Sequence, residues 1–142
     1  MPLPGTVDEL FETAIALEEQ AKALYLALAQ KFAHEEDVAD FWRAYAQEEI
    51  AHARWLSAQK VKLDPAILAQ PADPDVLRRA RRRMEQTTAS ALAQIRTLDD
   101  AYELAHEIES GETNAILAFM IDHYERGAEA QAFMRAQLGE HV

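Results

Sequence analysis

The sequence predicts an all-α protein, an antiparallel four-helix bundle of two helical hairpins joined by a long crossover that carries a short extra helix. Three observations predict it. The five prolines fall at positions 2, 4, 65, 71 and 74, which leaves residues 5–64 and 75–142 free of the residue that breaks helices. Alanine, the strongest helix former, occurs 28 times in 142 residues, against four glycines. Apolar residues recur at three- and four-residue steps, the spacing of one helix face. The length suits one domain over residues 1–142, and 49% hydrophobic residues are enough for a core without covalent staples.

Helix A is expected to start at Thr6. Thr6-Val7-Asp8-Glu9 fits a capping box, in which the threonine hydroxyl accepts from the third backbone N–H and the glutamate reaches back. Its apolar face reads Leu10, Ala14, Leu17, Ala21, Leu24, Leu28 and Phe32. His34-Glu35-Glu36-Asp37 reads as a short break. Helix B then runs to about Ala58, on Val38, Phe41, Tyr45, Ile50 and Leu56. A connection with three prolines follows from Lys60 to Pro74. Asp73-Pro74 is a strong helix start, a capping carboxylate before a proline at the first helical position. It opens a short helix carrying Arg78, Arg79, Arg81, Arg82 and Arg83. Helix C is expected from Thr97-Leu98-Asp99-Asp100 to about Tyr124, a turn at Arg126-Gly127, and a short helix D from Ala128 onward. A helix of 25 residues is roughly 37 Å long, so the pieces match as a bundle with one crossover.

Composition excludes several classes. No apolar run is long enough to cross a bilayer and no signal peptide is legible, so a cytoplasmic protein with no membrane partner is expected. The absence of cysteine from these residues excludes a disulfide framework and a rubredoxin-type iron site. The formal net charge of −11 repels nucleic acid and attracts cations. The arginine run, with no aromatic interleaved, reads as a solvated face or a subunit contact. Trp42 and Trp55 read as packing or oligomer-contact residues.

The informative feature is acid at core-facing positions. Glu18 lies four residues after Ala14 and seven before Tyr25, in the apolar seam of helix A. Glu49-Ile50-Ala51-His52 is a Glu-x-x-His motif, and residues three apart are neighbours on a helix. A buried carboxylate is costly unless it is paired or binds a metal. Carboxylate oxygen with imidazole nitrogen suits iron, manganese or zinc. In helix C, Tyr102, Ala105, Glu109, Glu112, Ile116 and Phe119 form a stripe with Glu109 and Glu112 one turn apart. Glu18 to Glu49 is 31 residues, and Glu109 to Glu140 is also 31, each interval crossing one hairpin turn near its middle. Four carboxylates would then converge in mid-bundle, where they repel one another unless cations neutralise them.

These motifs together resemble the rubrerythrins of the ferritin-like superfamily, whose bundles contribute a Glu from each of two helices and Glu-x-x-His from each of the other two. Glu18-Glu19-Gln20-Ala21-Lys22-Ala23-Leu24-Tyr25 is similar to their first-helix motif, Ala46-Gln47-Glu48-Glu49-Ile50-Ala51-His52 to their second, and Glu109 with Glu112 to their Glu-x-x-Glu pair. The resemblance implies a ferritin-like fold and a centre of two irons per chain, with manganese or zinc as substitutes. Glu18 and Glu109 would be terminal ligands, Glu49 and Glu140 would bridge, and His52 would bind one iron. Glu112 would be the extra, movable carboxylate of catalysis. Tyr25, a catalytic residue along with Glu112, would act with Tyr45 and Tyr102 as a hydrogen-bond partner of the ligands. The second His of the pattern falls at position 143, past Val142, and His141 lies about 100° round the helix from Glu140, a poor replacement. The implied activity is reduction of hydrogen peroxide or dioxygen, of peroxidase or ferroxidase type, in a homodimer fed by a separate electron-donor protein. An iron-storage protein and a helical interaction bundle with an incomplete metal site are the alternatives.

Overall fold

A computed structural model of the chain describes residues 3–85, 93–109, 112–124, 131–134 and 136. Among these residues the helices with described bounds are, in order, α1 (Val7–Lys31), α2 (Glu36–Lys62), α3 (Pro65–Leu68), α4 (Pro74–Glu85), α5 (Leu98–Glu109) and α6 (Glu112–Tyr124). Residues 131–134 and 136 are helical too, within the stretch expected to form helix D. No strand occurs among the described residues, only an isolated bridge between Thr6 and Pro71. No described helix is long and apolar enough to cross a membrane. The described residues form an all-α structure, as the sequence predicts.

Local chemistry sets the helix starts. The Thr6 hydroxyl accepts from the Glu9 amide at 3.3 Å, and the Glu9 carboxylate accepts from the Gly5 amide at 2.8 Å, one residue further back than the standard box. Asp73 Oδ1 accepts from the amides of Asp75 and Val76 at 3.0 and 3.1 Å, and so caps α4. At α5 the Thr97 hydroxyl accepts from the Asp100 amide at 3.2 Å while Asp100 Oδ2 accepts from the Thr97 and Arg96 amides, both at 3.1 Å. These backbone donors hold the Asp100 carboxyl below the usual range.

Helices α1 and α2 pack along each other as the first hairpin, turning through residues 32–35. Every residue of the expected α1 face is buried: Leu10, Ala14, Leu17, Ala21, Leu24, Leu28 and Phe32. The face of α2 differs from the expected one. The buried stripe is Ala39, Trp42, Ala46, Glu49, His52, Ala53 and Leu56, whereas Phe41 is exposed and Val38, Tyr45 and Ile50 are half-buried. Small alanines at 39, 46 and 53 line the buried side with Trp42 and Leu56, and Phe41 is turned to the rim. Helix α2 also runs four residues past Ala58, to Lys62, and the crossover contains the single-turn α3.

The crossover is tied back onto α1. The Val7 amide donates to the Gln70 carbonyl and the Ala72 amide to the Gly5 carbonyl, both at 2.9 Å, and Gly5 adopts φ +80°, a conformation that favours glycine. Within the arginine run, Arg81 makes a two-pronged ion pair with Glu9 and holds its carboxyl below the usual range. Lys60 of α2 bridges Asp8 and Glu12 of α1. The arginine run is thus in part an interhelix clamp.

Candidate metal centre

The heptad spacing of α1 and α2 places Glu18, Glu49 and His52 on the faces that meet. The 31-residue interval across the turn brings the two glutamates to one height. All three side chains are buried, with residue exposures of 1%, 1% and 2%. His52 Nδ1 lies 3.5 Å from Glu18 Oε2 and 3.6 Å from Glu49 Oε2. One ligand atom from each residue falls within 4.8 Å of the other two.

The electrostatics are those of a site short of positive charge. Burial, with the Glu18 carboxylate alongside, pushes the Glu49 carboxyl up to about 7 despite the pull of His52. Burial pushes the His52 imidazole down, but the two carboxylates outweigh it and hold the ring protonated up to about 10. Among the described residues, Glu18 Oε2 and Glu49 Oε1 are buried with no hydrogen-bond partner. A buried acceptor without a donor is strongly unfavourable, and a cation placed between the oxygens removes that cost. Two carboxylates and one imidazole form a mixed oxygen and nitrogen donor set, which fits iron, manganese or zinc.

The other sequence-nominated residues divide by position. Glu109 is the last residue of α5 and Glu112 the first of α6; their side chains lie outside the described part of the structure. Glu140 and His141 lie outside the described residues altogether. Tyr25 is fully buried, two turns along α1 from Glu18, and its ring stacks on Trp42 with centroids 6.1 Å apart. Tyr45 lies one turn before Glu49, 5.2 Å from the Tyr25 ring. Tyr102, expected in a core-facing stripe, is 43% exposed and lies across Phe41 and Trp42 at the surface. The ring turns outward because the interior of α5 is taken by Ala101 and Ala105. Trp55 packs against the core as a half-buried residue. Gln59 and Thr113 are buried polar residues that no motif singled out, because an uncharged polar residue on a helix carries no spacing signal.

Comparison with known proteins agrees with the motifs. The Rubrerythrin family model matches residues 9–137, a span that contains Glu18, Glu49, His52, Glu109 and Glu112. No curated protein and no solved structure matches the chain. A match of that extent covers all but the two ends, and the protein belongs to the rubrerythrin family.

Proposed function

We propose that the protein is a non-haem di-iron oxidoreductase that reduces hydrogen peroxide or dioxygen, as a peroxidase or ferroxidase. The observation that carries this reading is the buried Glu18–Glu49–His52 group, in which Glu18 Oε2 and Glu49 Oε1 lack a hydrogen-bond donor among the described residues, in a chain of the rubrerythrin family. In this reading Glu18, Glu49, His52, Glu109 and Glu140 would hold the iron pair, with Glu18 and Glu109 as terminal ligands, Glu49 and Glu140 as bridging ligands and His52 on one iron. Glu112 is the carboxylate free to move as the charge of the centre changes. Manganese or zinc can occupy the same donors. The reading places the protein in the cytoplasm as a homodimer, fed by a separate electron-donor protein.

An iron pair, when bound, supplies the two electrons that a peroxide or dioxygen takes up. The protein supplies the rest. His52 gives up the proton at Nδ1 or Nε2 as a cation enters, because a ligating imidazole must be neutral. Apolar layers above and below the three ligands exclude bulk water and strengthen every charge interaction inside.

The test is anaerobic loading with ferrous iron, metal analysis, and stopped-flow oxidation by hydrogen peroxide and by dioxygen separately. Two irons per chain and rapid, saturable oxidation by one of these are expected. Less than one iron per chain, or no oxidation by either, would rule the reading out. Light scattering separates it from iron storage, since a dimer is too small to enclose a mineral.

A further inference from the structure

One region of the core is built unlike the rest. Three of the four tyrosines and one of the two tryptophans gather on the side of the ligand layer nearer the α1–α2 turn. Tyr25 and Trp42 are fully buried and stacked at an interplanar angle of 9°. They lie seven residues from Glu18 and Glu49 respectively, two helical turns or about 10 Å along the axis. Tyr45 fills the gap on the α2 side, one turn from Glu49, with its ring 5.2 Å from Tyr25 and 6.0 Å from Trp42. On the outer side Trp42 touches Tyr102 at 5.5 Å, and Tyr102 reaches solvent. Packing alone does not explain Trp42. Its indole N–H is buried with no hydrogen-bond partner among the described residues, whereas a buried tryptophan usually finds an acceptor.

We infer that Tyr25, Trp42 and Tyr102 form an electron path from the protein surface to the Glu18–Glu49–His52 layer, with Tyr102 as its entry point. The path rests on the redox reading above, in which a peroxide at the centre is the oxidant and a one-electron donor in solution the reductant. Trp42 loses one electron inward across the stacked Tyr25 ring, which bridges the gap without itself being oxidised, and keeps its N–H proton, since no acceptor faces it among the described residues; the resulting radical cation is a strong oxidant. It takes one electron from Tyr102, whose phenolic O–H breaks and releases its proton to water. The donor returns one electron to the tyrosyl radical, and water returns the proton. Two such passages match the two electrons and two protons that convert one hydrogen peroxide to two waters. The aromatic side chains are unchanged at the end.

The path is tested without metal. In the full-length Trp55→Phe protein, Trp42 is the sole tryptophan. A near-ultraviolet laser flash that tryptophan absorbs and tyrosine does not photoionises the buried indole in place, and the tryptophanyl and tyrosyl radicals are followed by their separate absorption bands. Conversion of the first to the second at a rate independent of protein concentration is expected. Its loss is expected when Tyr102→Phe is added, a change that keeps the ring and its packing and removes only the hydroxyl. Conversion that is absent in the parent, or unchanged by Tyr102→Phe, would overturn the path. In iron-loaded protein whose iron has first been oxidised, so that peroxide must draw its electrons through the path, a spin trap should label Tyr102, and Trp42→Phe should abolish the label. Equal labelling in both would overturn the path as well. A protein that passes the metal-free test yet consumes no peroxide sinks the proposed function alone; one that consumes peroxide but fails that test sinks the path alone.

Discussion

The two halves of the core on either side of Glu18, Glu49 and His52 are built differently. Towards the N-terminus of α1 the interior is chiefly aliphatic: Leu10, Leu17, Leu56, Leu77, Ile116, Leu117, Met120 and Ile121, with Phe11, drawn from four helices. Towards the α1–α2 turn aromatic rings take a larger share: Tyr25, Trp42 and Phe32 sit among Ala21, Ala46, Ala101 and Ala105, with Leu24, Leu28 and Ile95. The first half is a general-purpose stabiliser that carries no chemistry. The second holds rings close to the ligand layer at the cost of aliphatic volume. The polar layer between them is affordable because the first half supplies the folding energy.

The comparison predicts unequal responses to substitution. His52→Ala leaves two buried carboxylates facing each other with no counter-charge. The metal-free protein should lose about 3–5 kcal/mol, the usual result of removing one member of a buried ion pair. Chemical denaturation measures it, and a loss below 1 kcal/mol would show that the layer is hydrated. Leu10→Ala, deep in the aliphatic half, should cost about 2–5 kcal/mol by transfer and cavity formation. Iron content at saturation should stay the same, and a drop in iron would blur the division between the halves.

Glu49→Ala should weaken iron binding by more than the roughly 10–100-fold that losing a supporting partner costs a metal site. Glu112→Ala should weaken it less, because Glu49, proposed as a bridging carboxylate, would touch both ions. Equal losses by metal analysis would contradict the bridging assignment.

The pH response follows from two groups with the same sign. Glu49 rises from 4.5 to about 7 on folding, so the native state holds a proton that the unfolded chain has released. His52 rises from 6.5 to about 10, so its stabilising charge is fully present below pH 6.5 and lost as pH climbs through 10. Metal-free stability should therefore fall continuously between about pH 4.5 and 10, while iron affinity rises as the ligands give up protons. Thermal melts with and without iron should diverge as pH increases. Parallel curves would mean that these groups do not bind the ion. The smallest effect is expected at the start of α1: Thr6→Ala removes one cap and should cost about 1 kcal/mol, with no change in iron binding.

Much of the centre was legible because its residues carry charge. Glu18 stands out on α1 because its neighbours along the seam are apolar, and Glu49 with His52 because three-residue spacing puts them on one face. The α2 face was misjudged for the opposite reason. Alanines at 39, 44, 46, 51 and 53 give almost the same hydrophobicity all round the helix, so the large residues Phe41 and Ile50 appeared to mark the interior. Close helix approach instead selected Ala39 and Ala46, with Trp42 filling the space between them.

By itself the sequence determined the starts of α1, α4 and α5, through hydroxyl and carboxylate caps that act over two to four residues. It also determined the equal heights of Glu18 and Glu49, because a helical hairpin converts a residue count into a length. Only the tertiary structure decided which side of α2 is buried, that Tyr102 faces solvent, and that Tyr25 stacks on Trp42. Those outcomes depend on how closely two backbones can pack, a property of paired surfaces that no single helix encodes.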